Sequence, residues 1–198
     1  MSGRQIIVNE KTATKRFDEL KELFHFSSNE SDRGRVLIIA SHIEFLLRRV
    51  LEAFLVASTK EVRELFEGPY APFGSLSGKT KAAFVMGLIT KDERDRIDAV
   101  RNVRNAFAHE VTASFDHPKI LKICRKLVVD SGRMELRNEF MHAALNSMVP
   151  ILYRDLQIME VRRKELTKED IEQWSQYSNE DVGIKFLSEF KDAKSREV

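Results

Sequence analysis

Residues 36–55 decide the fold class, and they read Val-Leu-Ile-Ile-Ala-Ser-His-Ile-Glu-Phe-Leu-Leu-Arg-Arg-Val-Leu-Glu-Ala-Phe-Leu. Apolar residues recur along this stretch at the i, i+3, i+4, i+7 spacing that forms one face of a helix. The stripe consists of Val36, Ile39, Ala40, Ile43, Leu46, Leu47, Val50, Leu51, Phe54 and Leu55. A stripe this wide predicts a central core helix with other helices on more than one side. Ser31 or Asp32 is available to cap its N-terminus.

The same helical spacing continues on both sides of this segment. It predicts further helices over about residues 14–26, 80–88, 92–110, 118–130 and 134–164. Thr90 and Glu93 form a capping box before the third of these, while Pro150 is expected to kink or divide the last. Between helices, residues 66–79 predict a structured loop with the apolar anchors Phe66, Tyr70, Phe73 and Leu76.

Composition supports a helical protein and limits its partners. The 198 residues are 42% hydrophobic and contain only eight Gly and four Pro, which favours long helices over many short strands. We therefore expect an all-α fold: a polar lead over residues 1–13, a single helical bundle over 14–165 and an amphipathic helical extension over 166–198. The net charge of +2 does not mark a general nucleic-acid binder, although a local basic patch would be compatible with it.

The single cysteine, Cys124, excludes an internal disulfide and fits a reducing cytoplasm. Its neighbours Ile123 and Leu127 predict a buried structural thiol. No N-terminal apolar stretch resembles a signal peptide, and no window approaches the ~20 apolar residues that span a membrane. We expect a cytoplasmic protein without a membrane segment.

Two familiar kinds of ligand site are disfavoured by spacing. Gly74-Ser-Leu-Ser-Gly78-Lys79-Thr80 resembles a phosphate-binding P-loop, but only three residues separate its glycines where the motif needs four. Pro69 and Pro72 also stand where a buried strand should precede such a loop. The five histidines lack metal-ligand spacing, so we expect no metal and no cofactor. His42, within the core helix, is expected to be structural.

The strongest candidate site is Arg101-Asn-Val-Arg104-Asn105-Ala-Phe-Ala-His109. Ile97, Val100, Val103 and Phe107 commit one face of its helix to the core. Since four residues advance an ideal helix by about 40°, Arg101, Asn105 and His109 form one stripe, with Arg104 close enough to reach it. Two guanidinium groups, an amide and an imidazole could together bind a phosphate and transfer a proton near neutral pH.

A structural interpretation of the same residues stays open. In that interpretation, His109 and Asn105 hold neighbouring helix ends. The arginines would then form salt bridges to acids such as Glu44 or Asp98.

Several ordered blocks resemble the mannitol operon repressor family of bacterial regulators. They are Ser31-Asp-Arg-Gly34 before the core helix, the loop ending Pro72-Phe-Gly-Ser-Leu76, Gly87-Leu-Ile89 and the segment over residues 101–109. The resemblance covers roughly residues 30–130. It implies an all-helical repressor of a sugar-alcohol operon without a standard DNA-binding motif. A protein–protein route to repression is then as plausible as direct operator contact.

Arg104-Asn105-x3-His109 also resembles the Arg-x4-6-His motif of HEPN domains. These are helical proteins that often dimerise, and many of them cut RNA without a metal. The resemblance implies that Arg104 would bind the scissile phosphate and that His109 would act on the attacking 2′-hydroxyl or the leaving oxygen. Asn105 would orient His109, and Arg101 joins them only through the helical stripe.

Three functions follow from these patterns. The first is a non-enzymatic transcriptional regulator of the mannitol-repressor type that works through protein contacts. The second is a metal-independent HEPN ribonuclease, acting as a toxin or in phage defence. The third is an interaction module in which residues 101–109 only pin helix ends. Both resemblances predict a homodimer, with a protein or a nucleic acid as the further partner.

Overall fold

The computed structural model describes residues 10–56, 59–124 and 136–158. This part of the chain contains seven α-helices and no strand, which confirms the all-α prediction. The helices are α1 (Glu10–Ser28), α2 (Asp32–Phe54), α3 (Lys60–Phe66), α4 (Leu76–Val85), α5 (Lys91–His109), α6 (Pro118–Cys124) and α7 (Leu136–Ile158).

Helix α2 is the centre of the bundle, as its apolar stripe predicts. It packs against α1, α4, α5 and α7. The stripe is buried from Val36 to Leu51, and only Phe54 and Leu55 at its end are partly exposed. Burial of each large aliphatic side chain contributes roughly 1.5–3 kcal/mol. The hydrophobic effect therefore accounts for the position of α2.

The turn from α1 to α2 is closed by polar side chains. The hydroxyl of Ser31 accepts a hydrogen bond from the Gly34 N–H at 3.1 Å, so Ser31 is the N-cap of α2. Buried Arg35 donates from Nε to the Ser27 carbonyl at 3.0 Å, near the end of α1. Helix ends leave backbone groups without intrahelical partners, and these contacts satisfy some of them. α1 itself begins at Glu10, earlier than the predicted residue 14.

Helix α4 begins four residues before the predicted position. Its N-cap is Ser75, whose hydroxyl accepts from the Gly78 N–H, and its first residue, Leu76, is buried. The predicted start at Thr80 was wrong because Ser75 caps the helix, and Gly78 lies in its first turn. The loop before α4 is anchored by Phe66 and Phe73, whose rings lie 5.6 Å apart.

The anchoring role predicted for Tyr70 was wrong, because this side chain is 95% exposed. Gly68 and Pro69 precede it, and Gly68 has a φ angle of +107°. Such positive φ values favour glycine. The loop's apolar contacts therefore come from its two ends rather than from its tip.

The connection from α4 to α5 begins at a helix C-cap and ends at a helix N-cap. Gly87 has a φ of +72°, and the N–H of Leu88 donates to the Ala83 carbonyl at 2.8 Å. This is the Schellman arrangement that ends many helices. Thr90 and Glu93 form the predicted capping box at the start of α5.

Helix α7 continues through Pro150 without being divided. Proline removes one helical hydrogen bond, but Met148, Ile151 and Leu152 around it are buried and hold the segment against the bundle. Of the two expected outcomes, a kink or a division at Pro150, the division does not occur. Tertiary packing outweighs the local cost here.

The buried thiol of Cys124 confirms the structural role predicted for it. Its sulfur lies in the core, and burial, helped by the nearby Glu139 carboxylate, raises the pKa of the thiol to about 12. In the described ranges, no helix is long and apolar enough to cross a membrane. The predicted extension over residues 166–198 lies outside the described residues, as do residues 125–130 of the helix predicted over 118–130.

Candidate functional site

Helix α5 presents the candidate residues on its outward side because its other side is buried. Ile97, Val100, Val103 and Phe107 have no exposed surface, as their helical spacing predicts. The capping box at Thr90 defines where the helix begins, and the apolar residues decide which of its sides faces the core. Arg104 and His109 are exposed, while Arg101 and Asn105 are partly buried.

Three of the four candidate residues line one cleft of about 410 Å³. The cleft lies where α2 and the N-terminus of α4 meet α5. Its lining consists of Ala40, Ser41, Glu44, Gly74, Ser75, Leu76, Ser77, Arg101, Arg104 and Asn105. The structure thus brings Arg101, Arg104 and Asn105 together, as the stripe predicts.

His109 is not among the residues that line this cleft. It is the last residue of α5 and is exposed. Among the described residues it forms no hydrogen bond or ion pair. Its imidazole is accessible to solvent, but it does not share the enclosed space beside the two arginines.

The two arginines have different partners. A terminal nitrogen of Arg101, Nη2, lies 3.1 Å from Oδ1 of Asp98 in a partly exposed salt bridge. Its Nε atom is buried and finds no hydrogen-bond partner among the described residues. Arg104 donates from Nη1 to Oδ1 of Asn105 at 3.1 Å and has no acidic partner in the same part of the chain. The Asp98 carboxylate therefore partly neutralises the charge of Arg101, whereas the charge of Arg104 remains available to a partner.

Glu44 does not pair with these arginines, although the structural interpretation named it as a partner. Its Oε1 accepts a hydrogen bond from Lys79 Nζ at 2.7 Å, and the Lys79 side chain is only 6% exposed. The Lys79 amine also lies 3.3 Å from the Gly74 carbonyl oxygen. This lysine is therefore part of the core packing and is not free to hold a nucleotide phosphate.

Three serines were missed as candidates: Ser41, Ser75 and Ser77, which supply hydroxyl groups to the cleft. A signal for one of them was present, since Ser75 followed by an apolar residue is typical of a helix N-cap. Recognising it would have placed the first turn of α4 correctly. Ser41 lies on α2, and only the packing of α2 beside α5 brings it to the site.

Arg33 is a fourth residue that sequence reasoning did not assign to the site. Its Nη2 donates to the backbone carbonyls of Glu110 at 2.6 Å and Val111 at 2.9 Å. These carbonyls directly follow His109 at the end of α5. Cations are stabilising at a helix C-terminus. The hydrogen bonds of Arg33 therefore hold the end of the candidate segment, residues 101–109, against the start of α2.

No cluster of three or more His, Cys, Asp or Glu side chains in the described ranges could hold a metal ion. The described site instead supplies positive charge from the arginines, the amide of Asn105 and serine hydroxyl groups. The imidazole of His109 lies on the same helix. Comparison of the chain with protein-family models, with curated proteins and with solved structures finds no match.

Proposed function

We propose that this protein is a non-enzymatic regulator of transcription, of the type that its resemblance to the mannitol operon repressor family implies. It acts through protein contacts made by the outward side of α5. The observation that carries this proposal is that Arg101, Arg104 and Asn105 share one cleft while His109 does not line it. Such an arrangement suits binding better than proton transfer, because a general acid or base must lie within hydrogen-bond reach of the reacting group.

The available charge of Arg104 supports this proposal. A guanidinium that is exposed and has no acidic partner among the described residues can form charge-assisted hydrogen bonds with a carboxylate of a partner protein. Arginine is also enriched among the residues that dominate protein interfaces. A homodimer belongs to the same proposal. Light scattering that shows only a monomer at high micromolar concentration would contradict the dimer.

Transcript profiling of cells that produce the protein tests regulation directly. The wild type should change the transcripts of one operon without slowing growth, and Arg104→Gln should abolish that change. Arg63→Gln is the matched control, since it removes an exposed arginine from α3, away from the cleft. An unchanged transcript profile with wild type, or equal effects of the two variants, would overturn the proposal.

A metal-independent ribonuclease is the second candidate, and the exposure of Arg104 and His109 on one helix favours it. An RNA backbone could reach both side chains from solvent. Arg104 would then stabilise charge on the phosphate, and His109 would act on the 2′-hydroxyl or the leaving oxygen. The Asn105 carbonyl oxygen already accepts a hydrogen bond from Arg104, while its amide N–H groups remain able to orient His109.

Incubation with labelled RNAs in EDTA distinguishes the two candidates. A ribonuclease predicts products ending in 2′,3′-cyclic phosphate that disappear with folded His109→Ala. His25→Ala, which removes an exposed histidine from α1, should cleave like the wild type. Absence of cleavage by well-folded wild type would count against the enzyme and in favour of the regulator.

A further inference from the structure

We propose that the cleft between α2, α4 and α5 is a binding site for a small phosphate monoester. Arg101 and Arg104 would be its charged ligands, and the first turn of α4 would supply neutral donors. This inference deepens the proposed function, because such a site would hold a metabolite that controls the regulator. Only the regulatory purpose of this site rests on the proposed function. Binding of the ligand can be measured independently of that function.

The charge of the cleft favours an anion. Glu44 is the one acid in its described lining, and the buried Lys79 amine pairs with it at 2.7 Å. Asp98, which pairs with Arg101, is not part of the lining. After these pairs are formed, the positive charge of Arg104 remains uncompensated within the described residues. Arginine side chains have the planar donor geometry that matches phosphate oxygens.

Arg101 supplies a second guanidinium group to the cleft. Its side chain is 29% exposed, so the guanidinium group can be approached from the cleft. Its Nε atom is shielded from solvent and has no acceptor among the described residues. Only the terminal nitrogens of Arg101 are therefore within reach of a ligand oxygen.

Neutral donors lie on the opposite wall of the cleft. Ser75 is the N-cap of α4, and its oxygen accepts from the Gly78 N–H, which leaves its hydroxyl hydrogen available. The N–H groups of Leu76 and Ser77 belong to the first turn, where backbone donors have no intrahelical acceptor. The helix dipole adds partial positive charge at this end. The donors of α4 thus complement the two arginines of α5.

The size and composition of the cleft indicate a small ligand rather than a nucleic-acid strand. Its volume of about 410 Å³ falls in the range of small-molecule sites. No aromatic side chain occurs in the described lining, whereas single-stranded nucleic acids are usually held by stacking of their bases on aromatic rings. A phosphate monoester with a short polar body satisfies both observations.

Isothermal titration calorimetry of the full chain tests the proposal with four probes: glycerol phosphate, inorganic phosphate, uncharged glycerol and a short single-stranded RNA. Glycerol phosphate should bind saturably, inorganic phosphate more weakly and glycerol not at all. Arg104→Gln should weaken binding of glycerol phosphate by about tenfold. Arg63→Gln, which removes the same charge from α3, should leave binding unchanged.

Ser77→Asp is the sharpest variant because it should preserve the fold while filling the site. A carboxylate is favoured in the first turn of a helix, so the thermal stability of α4 should not fall. The same carboxylate would occupy the place of the ligand phosphate and abolish its binding. Retained binding in folded Ser77→Asp would overturn the proposal.

Two other outcomes would overturn the proposal as well. Equal weakening by Arg104→Gln and Arg63→Gln would show general charge attraction, and binding of RNA without binding of glycerol phosphate would show a nucleic-acid surface. Failure of the site is distinguishable from failure of the regulator. A protein that still changes transcription but binds no monoester contradicts only the cleft, whereas binding without transcriptional change contradicts only the regulatory role.

Discussion

The guanidinium group of Arg33 donates hydrogen bonds to the carbonyl of Glu110, 77 positions later in the chain, and to the adjacent Val111 carbonyl. These bonds join the first turn of α2 to the end of α5. Arg33→Gln should lower the free energy of unfolding by about 1.5–3 kcal/mol, the usual contribution of a hydrogen bond that involves a charged group. Urea denaturation measures this change. A loss no larger than that of Arg63→Gln, an exposed control, would show that the contact adds no stability.

The buried ion pair between Lys79 and Glu44 should respond unequally to loss of its two members. The Lys79 side chain is 6% exposed and that of Glu44 is 32% exposed. Glu44→Gln leaves a buried ammonium group without its counter-charge, and should cost about 2–4 kcal/mol. Lys79→Met leaves the better solvated carboxylate and should cost about half as much. Chemical denaturation of both variants checks the order, and a larger loss with Lys79→Met would contradict it.

Gly78 is required because a backbone carbonyl lies close to it, and not because of its own backbone angles. A Cβ atom at this position would lie 2.4 Å from the Pro72 carbonyl oxygen. Gly78→Ala should therefore destabilise the protein by about 1–3 kcal/mol, although alanine is the better helix former. Thermal unfolding monitored by circular dichroism measures the effect.

Gly34→Ala is the matched control for this substitution. The nearest atom to its added Cβ would be Oε2 of Glu30 at 2.7 Å, the far end of a flexible side chain that can move aside. The helix propensity of alanine should then make Gly34→Ala neutral or stabilising by up to about 1 kcal/mol. Similar destabilisation in both variants would show that the Pro72 contact is not the cause of the Gly78 effect.

The Glu93 carboxylate should make the start of α5 sensitive to acid. Burial raises its pKa, but hydrogen bonds from the Thr90 backbone and hydroxyl and from Arg154 outweigh this effect, so the net pKa is lowered. A lowered pKa stabilises the folded state above the unfolded value of about 4.3. That stability is lost as the pH falls through the folded pKa.

Stability of the wild type should therefore fall between about pH 5 and pH 3 more steeply than that of Glu93→Gln. Denaturation across this pH range gives the comparison. Glu64→Gln, which removes an exposed carboxylate from α3, should keep the steepness of the wild type. An unaltered pH dependence in Glu93→Gln would contradict the role of this carboxylate.

Much of the fold could be predicted because helical periodicity is a local property. The buried positions from Val36 to Leu51 and from Ile97 to Phe107 follow directly from it. The capping box at Thr90 was also readable, since its two members lie three residues apart. The errors at Tyr70 and Thr80, and the undivided helix at Pro150, occur where local preference is weak or tertiary packing overrides it.

The candidate site was predicted only in part. Helical spacing placed Arg101, Arg104 and Asn105 on one side of α5, and all three line the cleft. Spacing also suggested His109, but this residue does not line the cleft. The serines on the other wall come from separate helices, so no pattern within α5 could indicate them.

The sequence by itself determined which segments become helices and which side of each is buried, because both depend on residues only a few positions apart. The local pair of Arg101 with Asp98 was among the partners that the sequence indicated, but the tertiary structure alone decided the partners that lie far apart in the chain. Glu44 pairs with Lys79 rather than with an arginine, and Arg33 reaches the end of α5. Such choices depend on distances between helices that are remote in the chain. Those distances are set by the packing of the whole core.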